Sequence, residues 1–126
     1  MTIQQIKADQ EVFSALAFVR AAVPPSELWA QLAEEATELA HAALKLRRSI
    51  GEVNPTPVKP DEAFGAVMEE IADVTLLIHV LQLDLSPDAI EMTGRRKLLR
   101  WCDRLKGKEK ASTDQATLAR MEVIPK

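Results

Sequence analysis

The sequence predicts an all-α protein of four helices, and three observations carry that reading. Ala and Leu are the most abundant residues, whereas Gly occurs only 4 times in 126 residues and Tyr is absent, a balance that favours helices over strands and tight turns. Prolines gather at a few places, "PPSE", "GEVNPTPVKP" and "LSPD", and divide the chain into segments of helical length. In the second and third segments, apolar residues recur at the three- and four-residue spacing that lines one face of a helix.

Each element has its own punctuation. Thr2 and Gln5 fit a capping box, which opens a helix running to about Val23. Ser26 is an N-cap candidate for a second helix from Glu27 to about Ile50, where Gly51 provides a stop that tolerates left-handed backbone. Residues 51–60 hold three prolines, which remove N–H donors and fix φ, so an extended, exposed connector is expected until Asp61 caps a third helix ending at Leu85. Ser86, with Pro87 at the first helical position, starts a fourth helix through about Lys106. The domain is thus expected to occupy 1–106. The polar stretch 107–126, with weak periodicity, is expected to be a loose tail or an arm on a neighbour.

A formal charge of -3 and a pI near 5.4 give no basis for binding a nucleic-acid duplex or an anionic membrane, and point to a small-molecule partner. Cys102 is alone, so no internal disulfide can form, and the N-terminus lacks a basic start followed by an apolar run. The longest apolar run, "VTLLIHVLQLDL", is interrupted by His79, Gln82 and Asp84. A soluble, cytoplasmic protein is expected.

Two acidic motifs stand out against this background: "EEATE" at 34–38 and "EEIAD" at 69–73. At about 100° per residue, Glu35 and Glu38 lie about 60° apart on the second helix, on the stripe of Leu28, Leu32, Leu39, Ala42 and Leu46. On the third helix Glu70 and Asp73 share a face with Ala66, Val67, Val74, Leu77 and Leu81. Glu34 and Glu69 point about 100° aside. A single ExxE on a helix ordinarily marks a solvated face, but both of these stripes are apolar. Carboxylates placed there must be protonated, paired with a base or bound to a cation. Lys45, at the stripe's edge, can pair with only one of them. Four carboxylates on two helices, without Cys or His at ligand spacing, suit a hard divalent ion, Mg²⁺ or Mn²⁺, better than Zn²⁺.

The EExxE motif on one helix and EExxD on the next resemble the MazG-like, all-α nucleoside triphosphate pyrophosphohydrolases, over helices two and three. The resemblance implies a four-helix MazG-like bundle in which Glu35, Glu38, Glu70 and Asp73 bind Mg²⁺. It implies hydrolysis of a (deoxy)nucleoside triphosphate to the monophosphate and pyrophosphate, a nucleotide-pool housecleaning activity. Either Glu35 or Glu38 would also accept the proton of the attacking water. Two other readings remain: phosphoribosyl-ATP pyrophosphatase of histidine synthesis, and a non-catalytic helical module whose acids pair with "KLRR" or "GRRK".

On the fourth helix, Arg95, Arg96, Lys97 and Arg100 are cations that could meet a triphosphate, with Lys97 and Arg100 the substrate-binding candidates. Trp29 and Trp101 could stack on a base but read first as core, Cys102 as a buried small residue, and His41 and His79 as residues outside the site. Helix two is apolar around most of its circumference, and helix three adds Leu76, Ile78 and Leu83 off the acidic face, more than one short bundle can cover. A homodimer or homotetramer is therefore expected, with helices of two chains completing the bundle.

Overall fold

Prolines set the first residue of three of the four helices. The computed structural model describes residues 3–51 and 57–122, and the helices are α1 (Ile3–Ala22), α2 (Pro25–Ile50), α3 (Pro60–Val80) and α4 (Pro87–Glu122). A 3₁₀ turn, Leu81–Asp84, follows α3, and there is no strand among the described residues. Pro25 and Pro60 occupy the first helical positions, where a missing N–H costs nothing and φ is already helical. Both helices consequently begin before the polar residues expected to cap them. Pro24 takes the N-cap place of α2 in extended backbone, its carbonyl accepting from the N–H groups of Glu27 and Leu28 at 3.0 and 3.2 Å, and Ser26 lies inside the helix. Lys59 does the same for α3, leaving Asp61 and Glu62 in the first turn, where their charge favours the helix dipole.

Ser86 does cap α4: its hydroxyl accepts from the Ala89 N–H at 3.4 Å and its carbonyl from the Ile90 N–H at 3.0 Å. Gly51 follows α2 with φ -89° and ψ 152°, extended and not left-handed, so backbone handedness is not what it supplies. A Cβ there would come within 3.0 Å of the Arg47 carbonyl oxygen, a close approach that favours the absence of a side chain. Thr2 of the expected capping box and residues 52–56 of the connector lie outside the described residues. The fourth helix does not stop at Lys106. It runs through Gly107 to Glu122, because one glycine costs a helix only about 1 kcal/mol and the following Lys, Glu, Gln and Ala are good helix formers. Weak periodicity there reports the lack of an apolar face, not the lack of a helix.

The chain divides into two units, one through Leu85 and one from Ser86. In the first, α2 and α3 are the principal packed pair. They are antiparallel: the buried cluster joins Leu28 near the start of α2 to Leu77, Val80 and Leu81 at the end of α3, while Ala42 and Ala66 line one groove farther along. Leu16, Val23, Leu32 and Leu85 pack against that cluster. α1 is tied to the end of α3 by Arg20, whose Nε donates to the Val80 carbonyl at 3.0 Å and whose Nη2 donates to the His79 carbonyl at 2.8 Å. Both carbonyls stand at the C-terminal end of α3, where that of His79 also accepts from the Leu81 N–H, and a cation beside them favours the dipole.

The buried core is small. Leu28, Ala63, Leu77, Val80 and Leu81 are its members among the described residues, whereas Phe13 and Phe18 of α1 are each 73% exposed. Trp29 and Trp101 are 45% and 59% exposed and Cys102 is exposed, so the expectation of a core place for Cys102 and the tryptophans does not hold within one chain. Helical spacing identified an apolar side of each helix, but not whether another element covers it. No helix among the described residues is long and apolar enough to cross a membrane.

Leu81 is fully buried at the centre of the cluster and Leu83, two residues on, is 77% exposed. Leu81→Ala should cost about 2–5 kcal/mol of unfolding free energy, and Leu83→Ala should stay within about 0.5 kcal/mol of wild type. Urea denaturation of the two variants checks this contrast.

Candidate functional site

The antiparallel contact that buries Leu28 against Leu77 and Val80 sets the next turns of α2 and α3 side by side, and those turns carry the acids. Glu35 and Glu38 from α2 and Glu70 from α3 each present a carboxylate oxygen such that the three lie within 4.8 Å of one another. Glu35 and Glu70 are half-buried and Glu38 is exposed. Asp73, the fourth expected member, is exposed and lies outside this trio, being one methylene shorter than Glu and one turn nearer the core end of α3. Glu34 and Glu69 are exposed and outside it as well. The stripe expected around the acids is present: Leu28 is buried, and Leu32, Leu39, Ala42 and Leu46 are half-buried. On α3, Val67 and Val74 are half-buried and Leu77 is buried, while Ala66 is exposed.

Two oxygens of the trio are hidden and uncompensated. Oε2 of Glu35 and Oε2 of Glu70 are buried and accept no hydrogen bond. A buried acceptor without a partner forfeits its hydration with nothing in return. Desolvation is the largest cause pushing the Glu35 carboxyl up to about 7, followed by a side-chain hydrogen bond with Glu70 and then by the charges of Glu38, Asp73 and Glu70. Asp73 thus acts on the site through its field, from outside the trio. Three carboxylate oxygens converging from two helices form a donor set of the kind a hard, oxygen-seeking cation accepts.

Beyond Glu38 the seam opens into a groove lined by His41, Ala42, Lys45 and Arg48 of α2 and Ala66 of α3. These residues were not selected from the sequence as site residues. The signal was present nonetheless: His41, Lys45 and Arg48 follow Glu38 at three, seven and ten residues, which keeps them on one side of the helix. Lys97 and Arg100, by contrast, belong to the second unit. They are exposed on α4 and share an open hollow with Gly94, Leu98, Trp101 and Arg104. Glu91 and Arg95 of that helix form an exposed ion pair at 2.8 Å, one turn apart. In comparison with protein-family models, curated proteins and solved structures, this chain matches none.

The raised Glu35 carboxyl has a definite consequence for stability. A group whose folded-state pKa lies above its unfolded value contributes stability that is fully present below the unfolded pKa and is lost as pH rises through the folded one. With 4.5 and about 7 as the two values, metal-free protein should lose thermal stability from about pH 4.5 to pH 8. Glu35→Gln, which cannot ionise, should flatten that slope. Melting curves in a chelating buffer check both, and a wild-type melting temperature that climbs with pH would give Glu35 the opposite sign, that of a stabilising ion-pair partner.

Proposed function

We propose that this protein is a divalent-cation-dependent nucleoside triphosphate pyrophosphohydrolase that cleaves between the α and β phosphates and releases a monophosphate and pyrophosphate. The observation that carries the reading is the convergence of Glu35, Glu38 and Glu70 within 4.8 Å, with a buried Oε2 on each of Glu35 and Glu70 that accepts no hydrogen bond. A salt-bridged interaction module would place a cation on those oxygens. Here two buried oxygens accept no hydrogen bond while three carboxylates gather, an arrangement that opposes folding unless something else compensates it.

Glu35, Glu38 and Glu70 would hold Mg²⁺ or Mn²⁺, with Asp73 adding negative field at the rim. When bound, such an ion supplies positive charge against the phosphoryl oxygens and acidifies water. The chain's own work is to fix the position of that charge and to receive a proton. Glu35 and Glu70 are anchored on the packed α2–α3 pair, where the apolar stripe restricts their backbones and keeps bulk water from their inner oxygens. Glu38 is the exposed member and therefore the one that solvent water reaches, which suits it to take the proton of the attacking water. Purified protein should release pyrophosphate from at least one common nucleoside triphosphate in Mg²⁺ and not in EDTA. Glu38→Gln should reduce that release by about 100-fold or more while helicity is unchanged, since an amide neither takes the proton nor binds the ion well. Undiminished turnover in Glu38→Gln would remove the role assigned to it.

The reading includes at least a dimer. Phe13 and Phe18 on α1 and Phe64, Met68 and Leu76 on α3 are exposed, and covering an apolar side chain of this size contributes about 1.5–3 kcal/mol. A second copy offers the matching surface for this exposed area. Light scattering at micromolar concentration should give a mass of twice the 14.0 kDa chain or more, and a monomeric mass contradicts this part of the reading.

A further inference from the structure

The groove beside the acidic trio has a polarity along its length. Its inner end is Glu38, a member of the trio, and its outer end carries Lys45 and Arg48, with His41 between and Ala42 and Ala66 as facing walls. Its volume is about 430 Å³. Leu44 also lines it, and the space between the helices stays open where Ala42 on α2 and Ala66 on α3 carry only methyl side chains. From Glu38 to Lys45 the helix rises about 10 Å, and long helical side chains lean toward the N-terminus, so the Lys45 ammonium leans back along the groove toward the acids. Arg47 and Arg48 stand in the last turn of α2, where they also favour the helix dipole, and Arg48 has a partner of its own. Lys45 lies before that turn and is exposed.

The two ends ask for different things. The acidic end repels an anion unless a cation stands between them, and the basic end attracts one. A ligand that satisfies both must carry negative charge at each end and span the gap left once the Lys45 side chain reaches back toward the acids. A monocarboxylate or a single phosphate offers one anionic centre, which serves one end at a time, and a neutral base or sugar satisfies neither. A chain of phosphates satisfies both.

We propose that this groove is the subsite for the pyrophosphate portion of a polyphosphorylated substrate, with Lys45 gripping the terminal phosphate, Arg48 beside it, and the trio's cation meeting the phosphate at the inner end. The assignment rests on the pyrophosphohydrolase reading for the identity of the scissile bond, but not for the binding of pyrophosphate itself. It places the leaving group on α2 of the same unit as the acids, with no requirement for Lys97 or Arg100 of α4.

The test is calorimetric titration of wild type, Lys45→Gln and Ala66→Glu with inorganic pyrophosphate in Mg²⁺, with Mg²⁺ alone, and with a nucleoside monophosphate. Circular dichroism shows that each variant keeps its helices. Ala66→Glu obstructs the groove from the opposite helix and sets a carboxylate against the Lys45 and Arg48 that line it, leaving both cations in the chain. Both variants should bind pyrophosphate about tenfold more weakly or worse, the loss of one charge-assisted contact. Lys45→Gln should leave the affinities for Mg²⁺ alone and for the monophosphate within about twofold of wild type, as expected of a cation remote from both. Wild-type protein that does not bind pyrophosphate, or variants that bind it as tightly as wild type, overturns the subsite. Lys45-dependent pyrophosphate binding in a protein that hydrolyses no nucleotide keeps the subsite and removes the hydrolase reading. Mg²⁺-dependent hydrolysis with an unchanged KM in Lys45→Gln does the reverse.

Discussion

The antiparallel contact between α2 and α3 is the interaction on which the first unit depends. Its apolar end closes Leu28 over Leu77, Val80 and Leu81, and each such side chain contributes about 1.5–3 kcal/mol when removed from water. Because the two helices are rigid over many turns, closing that end also dictates what meets farther along. Glu35 and Glu38 are brought to Glu70, and Ala42 and Ala66 to opposite sides of one groove. The favourable burial at one end is what holds an unfavourable gathering of carboxylates in the middle. That gathering raises the Glu35 carboxyl to about 7, mainly through lost hydration.

The same geometry organises charge along α2. Acids occupy its middle, and Lys45, Arg47 and Arg48 its last turns, where positive charge is favoured by the unpaired carbonyls of the helix end. Arg20 serves the corresponding end of α3 from α1, donating to the His79 and Val80 carbonyls. Cations that stabilise helix ends thus stand near both ends of the acidic seam without neutralising it, since the buried oxygens of Glu35 and Glu70 keep no partner. The proposed cation at the trio and the proposed polyphosphate in the groove would use charges already arranged by helix physics.

The exposed apolar residues are the other consequence of a fold built on one main helix pair. Five buried residues among those described are a narrow core, and α1 leaves Phe13 and Phe18 in water. A chain whose own elements do not cover its apolar surface is a natural component of a larger assembly. The proposed second copy would cover that surface, and would constrain the acidic seam further by fixing the helices that carry it.

The sequence by itself determined the helical class, the beginnings of the helices to within one or two residues, and the fact that Glu35, Glu38 and Glu70 lie on apolar stripes. These follow from local rules: polar caps and Pro87 near the helix starts, glycine scarcity, and the angular period that assigns each residue a side of its own helix. Tertiary structure decided the rest. Periodicity gives an angle about one axis and says nothing of the offset between two axes, so only the packed pair separates Glu70, inside the trio, from Asp73, outside it. It likewise placed Ala42 opposite Ala66 and so made His41, Lys45 and Arg48 into the lining of a groove, where the sequence offered only cations on a helix. It also left Trp29, Trp101 and Cys102 exposed and carried α4 past Gly107. An apolar side is written in the residues, but whether it is covered depends on which neighbour arrives.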